Sequence, residues 1–328
     1  MEEIIGQIIG LLKLALITAT PIALGALGGI MSERAGIVNI GIEGMMLTAA
    51  MVSQLVAMYI HLIFNPTISL IIGLIFGIAT GALLGWLHGI ISIKFRTDQI
   101  ISGTIINIFA WGITGWAYQR WMSNTANTPP SPGTFPILPI PGFSKIPIIG
   151  ELLFNHQPIV YIMLILTCLI HYLLFYTPWG LRTRAVGEHP RAADTVGINV
   201  YKIRYINTIM GGMIASLAGV WLTLEQVGNF NLRMSAGRGF IALAAMIFGR
   251  WTPFGAFGAS LIFGVGIAIQ IYTASLTSAA NSQSWLANIP SQFYQALPYI
   301  ITVIILAGFG GKAIPPAADG KPYQKREK

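Results

Sequence analysis

The carboxyl-terminal third of this chain contains a long uncharged stretch, since no Asp, Glu, Lys or Arg occurs from Trp251 to Gly311. Soluble domains carry roughly 25% charged residues and place them at the surface. The chain as a whole has 9% charged and 54% hydrophobic residues. A bilayer core is crossed by about 20 consecutive, mostly apolar residues. The sequence therefore predicts an integral membrane protein.

The apolar segments are continuous, whereas strands of a membrane β-barrel alternate apolar and polar residues over short stretches. The sequence thus predicts an all-α polytopic membrane protein with about eight to ten transmembrane helices, including broken or re-entrant segments. The segment at 238–250 is too short to cross alone and is interpreted as re-entrant or as the outer part of a broken helix. The predicted membrane segments are 5–30, 37–60, 67–93, 99–121, 157–177, 205–225, 238–250, 254–276 and 292–311.

The basic residues predict the orientation, because Lys and Arg concentrate in cytoplasmic loops. When the spans alternate, 14 of the 19 Lys and Arg residues fall on the same side as segment 182–204. We therefore expect this side to be cytoplasmic, the N-terminus outside and the C-terminus inside. The net charge of +8 then faces the anionic lipid of the inner leaflet, and nucleic acid is not an expected partner.

The chain divides into one transmembrane domain, 1–312, and a basic cytoplasmic tail, 313–328. The longest external connection, 122–156, contains the Pro-rich run NTPPSPGTFPILPIPGFSKIP. Proline lacks the N–H group that a helix needs, so this connection cannot be a regular helix. It is interpreted either as a cap that docks an external partner or as a passive linker.

A compact polar segment, RAVGEHPRAADTVGINVYKIR at 184–204, interrupts the apolar chain near its middle. Pro190 suits the first turn of a short helix, and Gly197 suits its end. Ala192, Thr195 and Val196 then share one face, which is the spacing of a helix that docks into a groove. An ordinary amphipathic helix at the interface is the alternative.

The segment MSERAGIVNIGIEGMMLTAA at 31–50 places Asn39 and Glu43 four residues apart among glycines. An acid within an apolar segment is costly and usually faces a cavity or a partner. Glycines permit a break in the helix, and broken helices line the path of many transporters. The alternative is that Glu43 lies near the interface and pairs with Arg34. Segment 235–264 also places glycines around a short apolar run, which suggests two related halves.

Asn107 and Trp111 are also four residues apart, within the fourth predicted membrane segment. They are interpreted as lining a pore that stacks and hydrogen-bonds a ring, or as part of an aromatic belt. With Asn39 and Glu43 they are the candidate residues of a substrate path. No catalytic cluster, metal-ligand spacing or cofactor motif is apparent, and the P-loop pattern is missing from the sequence. Any active transport then needs an ion gradient or another subunit.

Four motifs carry a family resemblance: SERAGIVNIGIEGMML (32–47), TDQIISGTIINIFAWGITGW (97–116), RAVGEHPRAADTVGINVYKIRY (184–205) and GRGFIALAAMIFGRWTP (237–253). Together they resemble the permease subunits of bacterial ABC importers for nucleosides and simple sugars. This group includes the ribose, galactoside and branched-chain amino acid permeases. The resemblance covers about residues 10 to 312, and the NIGIEG form is similar to the nucleoside branch.

The resemblance implies that 184–205 is the cytoplasmic segment through which an ATPase acts. His189 stands where the family more often has Asn. The residues that match the coupling pattern are Gly187, Glu188, Pro190, Arg191, Ala192, Ala193 and Gly197.

The resemblance also implies the partners: ATP-binding subunits, a second and different permease subunit, and an extracytoplasmic substrate-binding protein. The chain would form half of a nucleoside or sugar uptake path in the cell inner membrane, without catalysing a reaction itself. An ion-coupled secondary transporter, with Glu43 as its membrane acid, is the first alternative. A non-transporting membrane scaffold or enzyme is the second.

Overall fold

The computed structural model of the chain describes residues 2–123, 128–279 and 313–325, and the single positions 293, 296 and 300. Two of its helices, α3 and α9, continue as π-helical turns at Ile90–Lys94 and Leu222–Val227. The helices in chain order are α1 (Glu2–Glu33), α2 (Ile42–His61), α3 (Pro66–Gly89), α4 (Gln99–Trp121), α5 (Ile149–Leu153), α6 (Pro158–Tyr176), α7 (Pro178–Glu188), α8 (Pro190–Thr195), α9 (Val200–Trp221), α10 (Arg238–Phe248) and α11 (Pro253–Ala279).

Among the described residues, 7 helices are long and apolar enough to cross a membrane: α1, α2, α3, α4, α6, α9 and α11. The helix α10 is apolar but shorter. The prediction of an all-α polytopic membrane protein with a broken segment is therefore confirmed. The predicted membrane segment 292–311 falls almost entirely outside the described residues.

Helix starts coincide with side chains that can cap the free backbone N–H groups of a first turn. The carboxamide oxygen of Asn65 accepts a hydrogen bond from the Ile68 N–H over 2.9 Å at the start of α3. Asp98 accepts from the N–H groups of Ile100 and Ile101 at the start of α4. These capped turns divide a nearly continuous apolar sequence into separate helices.

The bundle centre is formed by α9, which packs against α1, α2 and α3. Glycines allow the backbones to approach: a Cβ on Gly81 would lie 2.3 Å from the carbonyl oxygen of Gly212. A Cβ on Gly28 would similarly lie 2.5 Å from the carbonyl oxygen of Gly211. Close contact through small residues is how helices associate where lipid removes the hydrophobic driving force.

Burial is uneven between the helices. In the apolar section of α9, 78% of the residues are buried inside the bundle, compared with 33% in α6 and in α11. Isoleucines of α4 such as Ile101, Ile105 and Ile108 are more than half exposed, at 54%, 53% and 60%. The molecule therefore presents broad apolar surfaces to lipid or to another membrane subunit.

The Pro-rich connection is largely irregular, as its prolines predict, but it also contains a small sheet and a short helix. Leu138–Pro139 and Asn155–His156 form a two-stranded antiparallel sheet, and the helix α5 lies between these strands. The residues from Pro129 to Phe135 have no regular secondary structure. The short helix forms where the prolines stop, at Ile149.

Candidate functional site

The first break in the bundle is the connection between α1 and α2, residues 34–41. A Cβ on Gly29 would lie 3.2 Å from Cδ1 of Ile42, and one on Gly25 would lie 3.5 Å from its Cγ2. Ile42 thus sits beside α1 at a point four to eight residues before Glu33, where α1 ends. Such a stretch of helix is about 6–12 Å long. The chain therefore turns at the end of α1 and re-enters the bundle before α2 begins.

Most residues of this re-entrant connection are buried, so its backbone groups need internal partners. The Val38 N–H donates to the carboxamide oxygen of Gln99 over 2.7 Å, and the Val38 carbonyl oxygen lies 2.9 Å from Nε2 of His88. A carbonyl oxygen only accepts, so Nε2 of His88 carries a proton. These two side chains, from α3 and α4, fix the first half of the connection.

Asn107 fixes the second half of the connection from α4. Its Oδ1 accepts from the Gly44 N–H over 2.7 Å, and its Nδ2 donates to the Ile40 carbonyl oxygen over 3.0 Å. Asn39 acts locally, since its Oδ1 accepts from the Gly41 N–H over 3.1 Å. The two asparagines therefore replace backbone hydrogen bonds that the interrupted helix cannot make.

The second break precedes α10, where residues 228–237 run into the bundle without regular structure. The carboxylate of Glu43 meets the start of this helix: its Oε1 accepts from the Gly237 N–H over 2.9 Å and its Oε2 from the Gly239 N–H over 2.7 Å. A carboxylate is favoured at a helix N-terminus because free N–H groups and the helix dipole meet there. Glu43 therefore joins the two breaks.

The alternative pairing of Glu43 with Arg34 is not what the structure shows. Arg34 donates from Nε to the Trp251 carbonyl oxygen over 2.9 Å and from Nη2 to the Arg250 carbonyl oxygen over 3.3 Å. These carbonyl groups follow the end of α10. Arg34 and Glu43 thus contact opposite ends of the same short helix.

The helix α10 lies against the last third of α1. A Cβ on Gly25 would be 2.7 Å from Cβ of Ala242, and one on Gly29 would be 2.8 Å from Sδ of Met246. With 11 residues the helix is about 16 Å long, roughly half of a bilayer core. It occupies the half on the side of segment 182–204, the predicted cytoplasmic side. With the predicted orientation, 238–250 would be the inner part of a broken crossing, because the irregular residues 228–237 precede it.

The structure brings together three of the four candidate path residues. Asn39, Glu43 and Asn107 are buried at the breaks, with 0%, 2% and 5% of their surfaces exposed. Trp111 lies one turn further along α4 and is 44% exposed, and the guanidinium carbon of Arg233 is 5.8 Å from the Trp111 ring centroid. The first three hold the broken backbone, while Trp111 faces out of the bundle.

Sequence reasoning missed His88 as a part of this site. It is 0% exposed and hydrogen-bonds the re-entrant connection. Its Nδ1 lies 2.9 Å from the Ser102 hydroxyl oxygen. A single His in an otherwise apolar helix was the available signal, since a buried polar ring needs partners.

A cavity of about 320 Å³ opens near the carboxyl-terminal end of α4. Its wall includes the ring of Tyr118 and the polar side chains of Asn229 and Asn231. The complete lining is Met58, Tyr118, Met122, Thr128, Pro129, Ser131, Asn229, Phe230 and Asn231. The cavity and Trp111 lie on the same half of α4.

The segment predicted to couple to an ATPase lies at the opposite end of the bundle, in α7 and α8. Pro190 occupies the first turn of α8, and Gly197 follows the helix with φ of +85°. Ala192, Thr195 and Val196 are exposed, as the predicted docking face requires.

Three other residues of the coupling pattern face the protein itself. Ala193 is 4% exposed and packs against Val186 and Val200, so its side chain is covered by the protein itself. A Cβ on Gly187 would lie 2.2 Å from the Arg34 carbonyl oxygen. Glu188 is exposed, but its carboxylate accepts from the Ala317 N–H over 3.1 Å. Arg191 is exposed as well.

A polytopic bundle in which two interrupted segments meet inside the membrane has the architecture of a membrane transport subunit. Residues 11–306 match the family described as branched-chain amino acid transport system / permease component. The chain belongs to this permease family, and its predicted family membership is confirmed. It is therefore a multi-pass membrane permease of the ABC transporter class.

Three relatives match nearly the whole chain. The guanosine ABC transporter permease protein NupQ of Bacillus subtilis is 39% identical over 94% of this chain and 95% of its own. The nucleoside ABC transporter permease protein NupC of Lactococcus lactis is 37% identical over the same shares. A putative glucose ABC transporter permease protein, TsgC13 of Haloferax volcanii, is 32% identical over 91% of both chains. No solved structure matches this chain.

Proposed function

We propose that this permease forms half of the path of an ABC importer that takes up nucleosides. The observation that carries the proposal is the identity of 39% and 37% to the guanosine and nucleoside permeases over 94% of the chain. The substrate-contacting side chains belong to the exposed half of α4, around Trp111. Energy comes from ATP hydrolysis in a separate subunit.

The two breaks support a moving path rather than a rigid bundle. Each break replaces regular helical hydrogen bonds by side-chain contacts, and the carboxylate of Glu43 connects the start of α2 to the start of α10. Helix ends held by a few side chains can shift between discrete arrangements more readily than a continuous helix. We propose that this junction moves when the path opens to alternate sides.

The surfaces of the bundle support three protein partners. The exposed face of α8 suits a groove on an ATP-binding subunit, because a short helix offers Ala192 and Val196 at a compact spacing. The exposed apolar faces of α3 and α4 suit a second permease, which we propose is a different chain. The external connection 128–156 is the proposed docking surface of a substrate-binding protein, with the N-terminus outside and the C-terminus in the cytoplasm.

The outer cavity supports a planar substrate. Its volume of about 320 Å³ is at the lower end of the range of roughly 300–1,000 Å³ for small-molecule sites. The Tyr118 ring can stack on a base, and the carboxamides of Asn229 and Asn231 offer both donors and acceptors. We propose this cavity as the first contact of the substrate as it enters from outside.

The test is uptake of radiolabelled guanosine and glucose into vesicles that contain the full importer, with ATP supplied on the ATPase side. We expect guanosine uptake that requires ATP and stops when the ATPase carries a hydrolysis-deficient substitution. Glucose uptake without guanosine uptake would favour the sugar alternative that the TsgC13 relative supports. Uptake that persists without ATP and collapses with an ionophore would instead indicate an ion-coupled transporter.

A further inference from the structure

The carboxyl-terminal tail is predicted to be a basic cytoplasmic segment, and its described residues, 313–325, lie on the protein. The Ala318 N–H donates to the Gly187 carbonyl oxygen over 2.9 Å, at the end of α7. The Ala317 N–H donates to the Glu188 carboxylate over 3.1 Å. These two bonds attach the tail to the link between α7 and α8.

The carboxyl-terminal residues of the described tail contact α8 itself. Tyr323 is 6% exposed and packs with Ala193 and Val186 in one apolar cluster. Its hydroxyl lies near the Asp194 carboxylate, and burial raises the pKa of Tyr323 to about 12, so the hydroxyl keeps its proton. Nζ of Lys325 lies 3.5 Å from the same Asp194 carboxylate. The buried face of α8 thus packs against the tail.

The middle of the tail reaches the first break. A Cβ on Gly36 would lie 3.1 Å from the Ala318 carbonyl oxygen, and one on Gly320 would lie 3.5 Å from Cγ2 of Val38. The Asp319 carboxyl faces that of Glu33, the last residue of α1. One short segment therefore contacts α8 at one end and the re-entrant connection at the other.

A buried arginine holds the tail between these two contacts. Arg204 of α9 is 1% exposed, and its Nη1 donates to the Lys321 carbonyl oxygen over 3.0 Å. A buried guanidinium without partners is costly, so this bond favours the docked tail. The tail is consequently a fixed part of the cytoplasmic end rather than a separate extension.

We propose that residues 317–325 transmit the displacement of α8 to the re-entrant connection between α1 and α2. This proposal rests on the proposed function, in which α8 contacts the ATPase. Of the positions in this segment, Tyr323 acts as the positioning residue on the α8 side. The segment lies at the end of the bundle opposite the cavity beside α4, so its loss should separate ATP hydrolysis from transport.

The first test is Tyr323→Ala in the full importer, with Gln324→Ala as the matched control because Gln324 is exposed in the same segment. We measure ATPase co-purification, ATP hydrolysis and guanosine transported per ATP. With Tyr323→Ala we expect normal co-purification, hydrolysis within about twofold and transport per ATP lowered about tenfold, a loss in the range usual for coupled sites. The control should equal the unmodified protein.

A milder variant covers the case in which Tyr323→Ala impairs assembly. Tyr323→Phe with Lys325→Ala keeps the buried ring and removes both polar contacts to Asp194. We expect transport per ATP to fall by about threefold, because one or two such contacts are worth under about 1 kcal/mol at a partly exposed site. Unchanged transport per ATP in the assembled variants would overturn the proposal. Absence of ATP-driven uptake in the unmodified importer would instead refute the proposed function.

Discussion

At the scale of single residues, Glu43 has a role that its local sequence does not reveal. Both of its carboxylate oxygens accept hydrogen bonds from backbone N–H groups almost 200 positions later in the chain, at Gly237 and Gly239. Charge-assisted hydrogen bonds of this type are shorter and stronger than neutral ones. Glu43 therefore connects the start of α2 to the start of α10 through hydrogen bonds.

Glu43→Gln tests that link. A glutamine keeps the size but offers one oxygen and one N–H₂ group, so one of the two glycine N–H groups then faces a donor. Loss of a buried hydrogen bond to a charged group costs about 1.5–3 kcal/mol. We expect assembled complexes with transport lowered about tenfold. Glu151→Gln, at an exposed acid, is the control, and full activity of Glu43→Gln would show that the link is dispensable.

A substitution at Gly239 tests the same contact by adding volume instead of removing charge. A Cβ at this position would lie 2.6 Å from both N and Cα of Glu43. Overpacking of this kind costs typically 1–3 kcal/mol, so we expect Gly239→Ala to lower the thermal unfolding temperature of the purified permease. Gly112→Ala is the matched control, because a Cβ there meets nothing within 4 Å. Equal unfolding temperatures for the two variants would contradict the close packing.

At the scale of elements, the sequence predicts the helices and the existence of the breaks but not their connections. Long apolar runs predict the seven spanning helices, and glycines beside Asn39 and Glu43 indicate an interrupted helix. The partners of these residues come from distant elements, and no local pattern specifies which helix start Glu43 reaches. The basic composition of the tail predicts a cytoplasmic segment, but it does not specify the tertiary contacts that Tyr323 and Asp319 make.

The two faces of α8 are expected to respond differently to substitution. Ala192 is exposed, whereas Ala193 is 4% exposed and packs beneath the helix. Ala192→Glu should weaken ATPase co-purification by about thirtyfold in affinity, since loss of one anchor costs on the order of 2 kcal/mol. The control is Ala192→Ser, which adds little volume and no charge. Normal co-purification and normal substrate-stimulated hydrolysis with Ala192→Glu would place the ATPase contact elsewhere.

At the scale of the whole molecule, most of the basic residues of the described chain lie at one end of the bundle. Arg34 and Arg250 meet there beside α7 and the tail. The orientation follows if this end is cytoplasmic. In a background with Cys168→Ser, Lys145→Cys should react with an impermeant thiol reagent added outside intact cells, and Thr195→Cys should not. Reversed labelling would invert the topology and exclude α8 as an ATPase contact.

Docking of the tail is also expected to depend on pH. Burial raises the pKa of Asp319 to about 7 from its ordinary value of 3.8, and the groups that face it are the carboxyl of Glu33 from α1 and the guanidinium of Arg204 from α9. Two buried carboxyl groups that face each other favour the state in which one of them keeps its proton, so the proton belongs to the pair. The docked state thus binds a proton that the undocked tail releases above about pH 4.

Docking of the tail is therefore most favourable at low pH and weakens as pH rises through about 7, because the docked state must then give up its proton or hold two negative charges. We expect amide hydrogen exchange at residues 317–325 to be slower at pH 6 than at pH 8 after correction for the intrinsic pH dependence of exchange. Asp319→Asn keeps the shape and cannot ionise, so it should remove most of this difference. A corrected difference that is absent in the unmodified protein, or unchanged in Asp319→Asn, would show that the Asp319 carboxyl does not control tail docking.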